Sequence, residues 1–307
     1  MKGYKGFNPG LICKDKQYQE NTVFEEPEAK ICEKGMHFCE NPFDVLDYYD
    51  LIRSDGTPNE FTEVEALDEP KTDDKKKFCS RKLKIGVKLG LSGFVKACVD
   101  FVLEKTIAEM PSENVDSGDY AQIGSSGNYA QIGSSGYSAQ IGSSGDYAQI
   151  GSSGYSARID SSGYSARIGS SGYSARIGSS GNYAQIGSSG DSAQIGSSGN
   201  SAQIGSSGDY ARIGSSGNYA QIGSSGNSAQ INCTGNDSVI CCAGHGSVVK
   251  APIGCWITLA EWKYDGAKQR YVPVCVKTEY VDGEKIKADT PYTLKNGEFA
   301  EAKSDGE

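Results

Sequence analysis

The chain has 307 residues, 40 of them glycine, is 37% hydrophobic and carries a formal charge of −9. The charge is spread evenly, with 17 Lys/Arg against 21 Asp/Glu over 1–110, 5 against 8 over 111–250 and 8 against 10 over 251–307. That balance excludes the basic footprint of a nucleic-acid binder and the acidic block of a solvating tail, and without an apolar run of 18 residues no membrane-spanning helix is expected.

The opening MKGYKGFNPGLICKDK lacks an apolar core of signal-peptide length, so the ten cysteines are expected as reduced thiols in a cytoplasm. Residues 1–110 read as α+β. ENPFDVLDYYDLI places Phe43, Val45, Leu46, Tyr49 and Leu51 at helical spacing after an Asn-Pro boundary. EFTEVEAL and KLKIGVKL alternate as half-buried strands do. SGFVKACVDFVLEKTIAEM puts Phe94, Val95, Cys98, Phe101, Val102 and Ile107 on one helical face, predicting a helix near 92–109. It stands directly before the repeats and is expected to cap their first coil, because an open end exposes core and unpaired strand edge.

From Asp119 the phrase [D/N/Y]-[Y/S]-A-[Q/R]-I-G-S-S-G recurs every nine residues. Thirteen copies reach Gly235, a degenerate fourteenth, NDSVICCAG, ends at Gly244, and a fifteenth fades after HGSVVKAP. Ala at position 3 and Ile at position 5 alternate with Gln or Arg at position 4, which predicts a short strand with Ala and Ile inward and positions 2 and 4 outward. Ser-Ser-Gly-Asn/Asp reads as a turn. Gly at position 9 persists in all fourteen copies, which suits a positive φ. Gly at position 6 gives way to Asp160, Asn232 and Cys241, so it is expected to provide room at a corner. A single copy cannot bury its apolar face, but stacked copies can. Residues 111–250 therefore read as a β-solenoid, with two copies per coil of 18 residues and a rod of roughly 34 Å. Three copies per 27-residue triangular coil is the alternative.

Residues 251–307 leave the repeat. CWITLAEW, YVPVCVKTEYV and PYTLKNGEF are strand-like, and Asp282-Gly283 and Asn296-Gly297 are hairpin signals. The expected fold is mainly β, with the solenoid closed by an N-terminal α+β domain (1–110) and a small C-terminal antiparallel β domain (251–307).

KGFN…GMHFCENPFDVLDYY…EVEAL, the tandem Ser/Gly/Ala repeats and VDGEKIKADTPYTLKNGEF together resemble an uncharacterised family widespread in bacteriophages, prophages and gut bacteria. The resemblance covers all three segments. It implies a phage or mobile-element origin, the cytoplasm of a bacterial host and an N-terminal domain of unknown function, without an activity or catalytic residues.

Chemistry-bearing motifs are sparse. Calcium-binding nonapeptide solenoids need a regular turn aspartate, whereas here Ala stands two before the aliphatic position and Asp119, Asp146, Asp191 and Asp209 are sporadic. An ice-binding face needs ranks of Thr, and the repeat has Thr234 alone. Neither Cys32, His37 and Cys39 nor Cys241, Cys242 and His245 supplies paired Cys-x₂₋₄-Cys zinc spacing. His37 and His245 are the two histidines, and His37 with Cys39 does not resemble a hydrolase pair. The carboxylates of FDVLDYYD read as a solvated helix face.

The solenoid surface is not uniform. Arg replaces Gln at Arg158, Arg167, Arg176 and Arg212, and Tyr takes position 1 at Tyr137, Tyr155, Tyr164 and Tyr173. With 18-residue coils Tyr137, Tyr155 and Tyr173 stack as a ladder beside Arg158 and Arg176, with Asp160 offsetting their charge. These six residues are the candidate partner or ligand patch. The expected function is a non-enzymatic structural or interaction protein that binds a host or phage protein or itself. Alternatives are a small-molecule sponge at the solenoid or its cap junctions, in an anti-defence role, and an enzymatic N-terminal domain on a solenoid spacer. No cofactor, metal, nucleic acid or membrane is implied.

Overall fold

A computed structural model of the chain describes residues 1–105, 113–116 and 118–302. Sixteen four- or three-residue strands, β10 (Glu113–Asp116) to β25 (Val248–Lys250), begin every nine residues. From β10 to β23 each pairs in parallel with the strand 18 residues on, so Gln122 meets Gln140 and Ile123 meets Ile141. This is the flattened two-sided solenoid, with about eight coils where the fourteen repeat copies predict seven. The ladder starts early because Glu113–Asp116 pairs with Gln131–Ser134.

Even-numbered strands form one sheet and odd-numbered strands the other. Between them lie the Ile and Ala ranks, almost all under 4% exposed. The strand proper covers positions 4–7, so the first Ser of the pair lies inside rather than in the turn. Ser143, Ser161, Ser179 and Ser197 have no exposed surface. Cys233 and Cys242 take that position in the last copies, as small buried residues can.

The two glycines act differently from expectation. Position 9 does not adopt positive φ. A Cβ at Gly199 would instead collide with the carbonyl oxygen of Gly181 in the coil below, and the same clash recurs from Gly136 to Gly244. Close backbone approach is what forbids a side chain. Position 6 is not at a corner. It lies mid-strand and faces outward, forming a glycine column along each sheet that is interrupted at Asp160, Asn232 and Cys241.

Positive φ falls instead at position 2, at Tyr129, Tyr147, Ser192, Ser201 and Tyr219 among others. Position 2 is thus a turn residue rather than part of the outward strand face. The position-1 side chain supports this turn: Asn182 Oδ1 accepts the Asn200 N–H at 2.8 Å, and Asn200 Oδ1 accepts that of Asn218 at 2.9 Å.

The N-terminal region forms a seven-stranded sheet in the order β4-β9-β6-β1-β5-β8-β7. Its main strands are β1 (Lys2–Phe7), β5 (Met36–Cys39), β6 (Glu60–Ala66), β8 (Lys77–Ser80) and β9 (Lys82–Leu89), with short β4 (Val23–Glu25) and β7 (Lys71–Thr72) at the edges. Helix α1 is one turn, Pro42–Val45, with Asn41 accepting the Phe43 N–H at 3.0 Å as its N-cap. Helix α2 runs Leu91–Lys105, and the remainder of the predicted helix lies outside the described residues.

At the C-terminal end, β26 (Trp256–Asp265) extends the even sheet in parallel and β27 (Arg270–Tyr280) folds back antiparallel on it. On the odd sheet, β28 (Tyr292–Lys295) joins β25 antiparallel, and β29 (Glu298–Glu301) folds back antiparallel on β28. Asn296 and Gly297, both at positive φ, form the tight turn of that second hairpin. Asp282-Gly283 is no hairpin turn: the Asp282 carboxylate caps the N–H groups of residues 284, 285 and 286. The long hairpin turns at residues 266–269.

Candidate functional site

Helix α2 does not sit over the end of the solenoid. It lies along the outer face of the odd sheet, across β11 (Gln122–Ser125), β13 (Gln140–Ser143), β15 (Arg158–Ser161), β17 (Arg176–Ser179) and β19 (Gln194–Ser197). The glycine column makes this possible. A Cβ at Gly142 would lie 3.3 Å from Val99 and 3.4 Å from Val102, one at Gly178 2.8 Å from Val95, and one at Gly196 3.1 Å from Leu91. The spacing is a natural match, because one helical turn rises 5.4 Å and one coil about 4.8 Å. The helix therefore sets about one residue on each coil. Its other face holds Phe94, stacked on Phe61 at 3.9 Å between ring centroids, and so ties the N-terminal sheet to the solenoid.

The position-4 column of the same sheet grips the segment Asn41–Leu51. Asn41 Nδ2 donates to Gln140 Oε1 at 3.2 Å, the Leu51 N–H donates to Gln194 Oε1 at 3.1 Å, and Gln194 Nε2 donates to Asp50 at 3.0 Å. Arg158 pairs with Asp47 and lies 3.8 Å from Asp44, while Arg176 and Arg212 reach Asp50 at 3.7 and 3.2 Å. The carboxylates of FDVLDYYD are thus ion-pair partners of the solenoid, not a freely solvated face. Asp160, a Gly-to-Asp change in the column, projects over Gly178 and beneath α2, against Cys98. Burial pushes its carboxyl up to about 8, with the Cys98 hydrogen bond and Arg158 pulling the other way.

The six-residue patch divides accordingly. Tyr137, Tyr155 and Tyr173 form a ladder on one edge, with successive rings 5.2 Å apart and nearly parallel, and each is about half exposed. Arg158, Asp160 and Arg176 are buried or nearly so against the N-terminal domain. They are brought near the tyrosines but already have partners within the chain. The tyrosines also mark a change of turn. After Tyr155 and Tyr173, Ser156 and Ser174 donate to Tyr137 O and Tyr155 O in the coil below, without positive φ, whereas Ser165 after Tyr164 keeps the positive φ.

The even sheet presents the same column without a helix on it. Gly133, Gly151, Gly169, Gly187, Gly205 and Gly223 form the floor of an open trench of about 1240 Å³, walled by Gln131, Gln149, Arg167, Gln185, Gln203 and Gln221. A Cβ at any of the last five of these glycines would meet nothing within 4 Å. Among the described residues Arg167 has no acidic partner, unlike the three arginines of the covered sheet. The face continues onto Val239, Trp256 and Tyr280, which are 53%, 49% and 42% exposed. Trp256 and Tyr280 lie 5.2 Å apart. The sequence held the signal for this trench, because in the even copies no residue interrupts the column from Gly133 to Gly223.

A second concavity, of about 710 Å³, lies within the N-terminal domain and is lined by Lys5, Cys13, Tyr18, His37, Tyr48, Tyr49 and Lys77 among others. His37 Nε2 accepts the Cys32 N–H at 3.0 Å, and burial with nearby Lys5 pushes its imidazole down to about 4. Among the described residues no three His, Cys, Asp or Glu side chains converge as a metal site, and no helix is long and apolar enough to cross a membrane.

Residues 1–97 match the family model of a domain of unknown function, DUF7666. No curated protein and no solved structure matches the chain.

Proposed function

We propose that the chain is a non-enzymatic interaction protein whose solenoid receives an α-helix of a protein partner on its open, even-numbered sheet. One observation carries this reading: the covered sheet already seats a helix on its glycine column, and the open sheet repeats that column without a break. A partner helix with small or β-branched residues at 3–4-residue spacing fits the floor, and an acidic side chain meets Arg167. Trp256, Tyr280 and Val239 offer an apolar anchor at one end. The resemblance of the flanking phrases to phage and prophage proteins supports placing this partner, of host or phage, in the cytoplasm of an infected or lysogenic bacterium.

A labelled peptide of the α2 sequence, residues 91–105, tests the reading by fluorescence anisotropy against the full chain. Saturable binding that disappears in Gly187→Glu supports it, since that change fills open space and leaves the coil intact. Binding that the variant leaves unchanged, or no binding at all, refutes it. Light scattering separates the self-association alternative: a dimer broken by Gly187→Glu would assign the open sheet to a second copy instead. The sponge reading finds its support away from the cap junctions, in the cavity of the N-terminal domain.

A further inference from the structure

Strand β1 is unevenly paired. Against β6 it makes six consecutive pairs, Lys2 with Glu65 through Phe7 with Glu60. Against β5 it makes one, Tyr4 with Cys39. Continued, that register would set Gly6 opposite His37, but the strands part there and the 710 Å³ cavity opens between them. Parted strands leave backbone amides and carbonyls facing a gap, which need partners.

Lys5 stands in this gap and is 5% exposed. Its Nζ donates to His37 O at 2.9 Å, the carbonyl left behind by the split, and lies 3.5 Å from Cys13 Sγ. The Phe7 and Tyr18 rings lie 5.3 and 5.6 Å away. An ammonium has three N–H donors. Here one meets a strong acceptor and another a weak thiol, and no carboxylate pairs with it among the described residues. Of the carboxylates on the cavity wall, Glu26 is taken by Lys16, Glu28 by Lys34 and Glu33 by Lys30, and Asp15 is exposed. Burial lowers the affinity of Lys5 for its proton, and the thiols offset this in part. An amino group buried without a counter-charge is costly to a fold and is a common mark of a binding site.

The remaining walls are aromatic. Tyr49 packs against Gly6, where a Cβ would come within 2.7 Å of its ring, and its hydroxyl is 3.0 Å from Cys13 Sγ. At the mouth Tyr48 is 47% exposed, with Lys77 Nζ 4.6 Å over its ring. A cavity of this size suits a ligand of nucleotide dimensions or smaller.

We infer that the split between β1 and β5 binds a small planar aromatic anion, its ring against the tyrosines and its carboxylate or phosphate on Lys5. The site is separate from the open sheet of the solenoid and does not depend on the interaction reading.

Calorimetry on the full chain with AMP and with anthranilate distinguishes the two sources of the anion, and adenosine and inorganic phosphate serve as single-group controls. One of the two aromatic anions should bind saturably, and at least tenfold more tightly than either control. Lys5→Met should weaken it at least tenfold while the near-ultraviolet circular dichroism stays native. Tyr48→Ala, at an exposed position that does not test folding, should weaken it severalfold. No saturable binding of either aromatic anion, inorganic phosphate binding equally well, or affinity unchanged in both variants would overturn the inference.

Discussion

At the level of single residues, the two glycines of the repeat obey different constraints although both look essential in the phrase. Gly199 has the backbone of the coil below where its Cβ would go, whereas Gly187 faces open space. Gly199→Ala should therefore lower the melting temperature sharply, while Gly187→Ala should leave it unchanged or raise it, since alanine restricts the unfolded chain. The core makes a similar contrast. Ile195→Ala should cost about 2–5 kcal/mol in chemical denaturation. Ser197→Ala should cost little or be stabilising, because its buried hydroxyl has no hydrogen-bond partner among the described residues. Position 9 shows how the sequence misleads here: invariance reveals that a side chain is forbidden, but not whether φ or a neighbouring strand forbids it.

Among elements, the docking of the N-terminal domain on the odd sheet accounts for four departures from the repeat. Arg158, Arg176, Arg212 and Asp160 all face the N-terminal domain. The proton on Asp160 makes this contact sensitive to pH. Its folded value of about 8 lies above the ordinary 3.8, so between these values the unfolded chain has lost the proton and the folded chain has kept it. Stability contributed by this group is full below about pH 4 and falls as pH rises towards 8. Asp160→Asn should flatten the decline in melting temperature from pH 6.5 to pH 8, above the range in which His37, pushed down to about 4, acts in the opposite sense. Asp44 is also raised by burial and acts in the same sense. Reversing the buried member of the Arg158–Asp47 pair, Arg158→Glu, should destabilise the chain, and adding Asp47→Arg should recover part of the loss, a coupling read by double-mutant analysis. That Asp44, Asp47 and Asp50 lie near one another was visible in the sequence. Their arginine partners stand more than a hundred residues away, at a distance no local pattern spans.

For the whole molecule, the coil of 18 residues means that two nine-residue copies belong to opposite sheets. Inserting a second copy of 200–217 after Gly217 should lengthen the rod and keep a single cooperative transition. Inserting nine residues should send every later copy to the other sheet and present the C-terminal hairpins to the wrong edges. Loss of cooperative melting, followed by circular dichroism, is the expected result. The same alternation produces one covered and one open face from a nearly uniform phrase.

The sequence by itself determined the solenoid, its inward Ala and Ile ranks, the α2 helix, the N-terminal strands β6 and β9 and the strands at the C-terminal end, because periodicity and turn chemistry are local. It also pointed to the residues where the phrase changes. Only the tertiary structure decided that the N-terminal domain lies along one sheet rather than over the end. That choice turns Arg158, Asp160 and Arg176 into internal partners and leaves the other glycine trench bare. The physical reason is that helix docking depends on the match between the rise of a helical turn and the spacing of stacked coils, and on charges that meet only after the chain has folded.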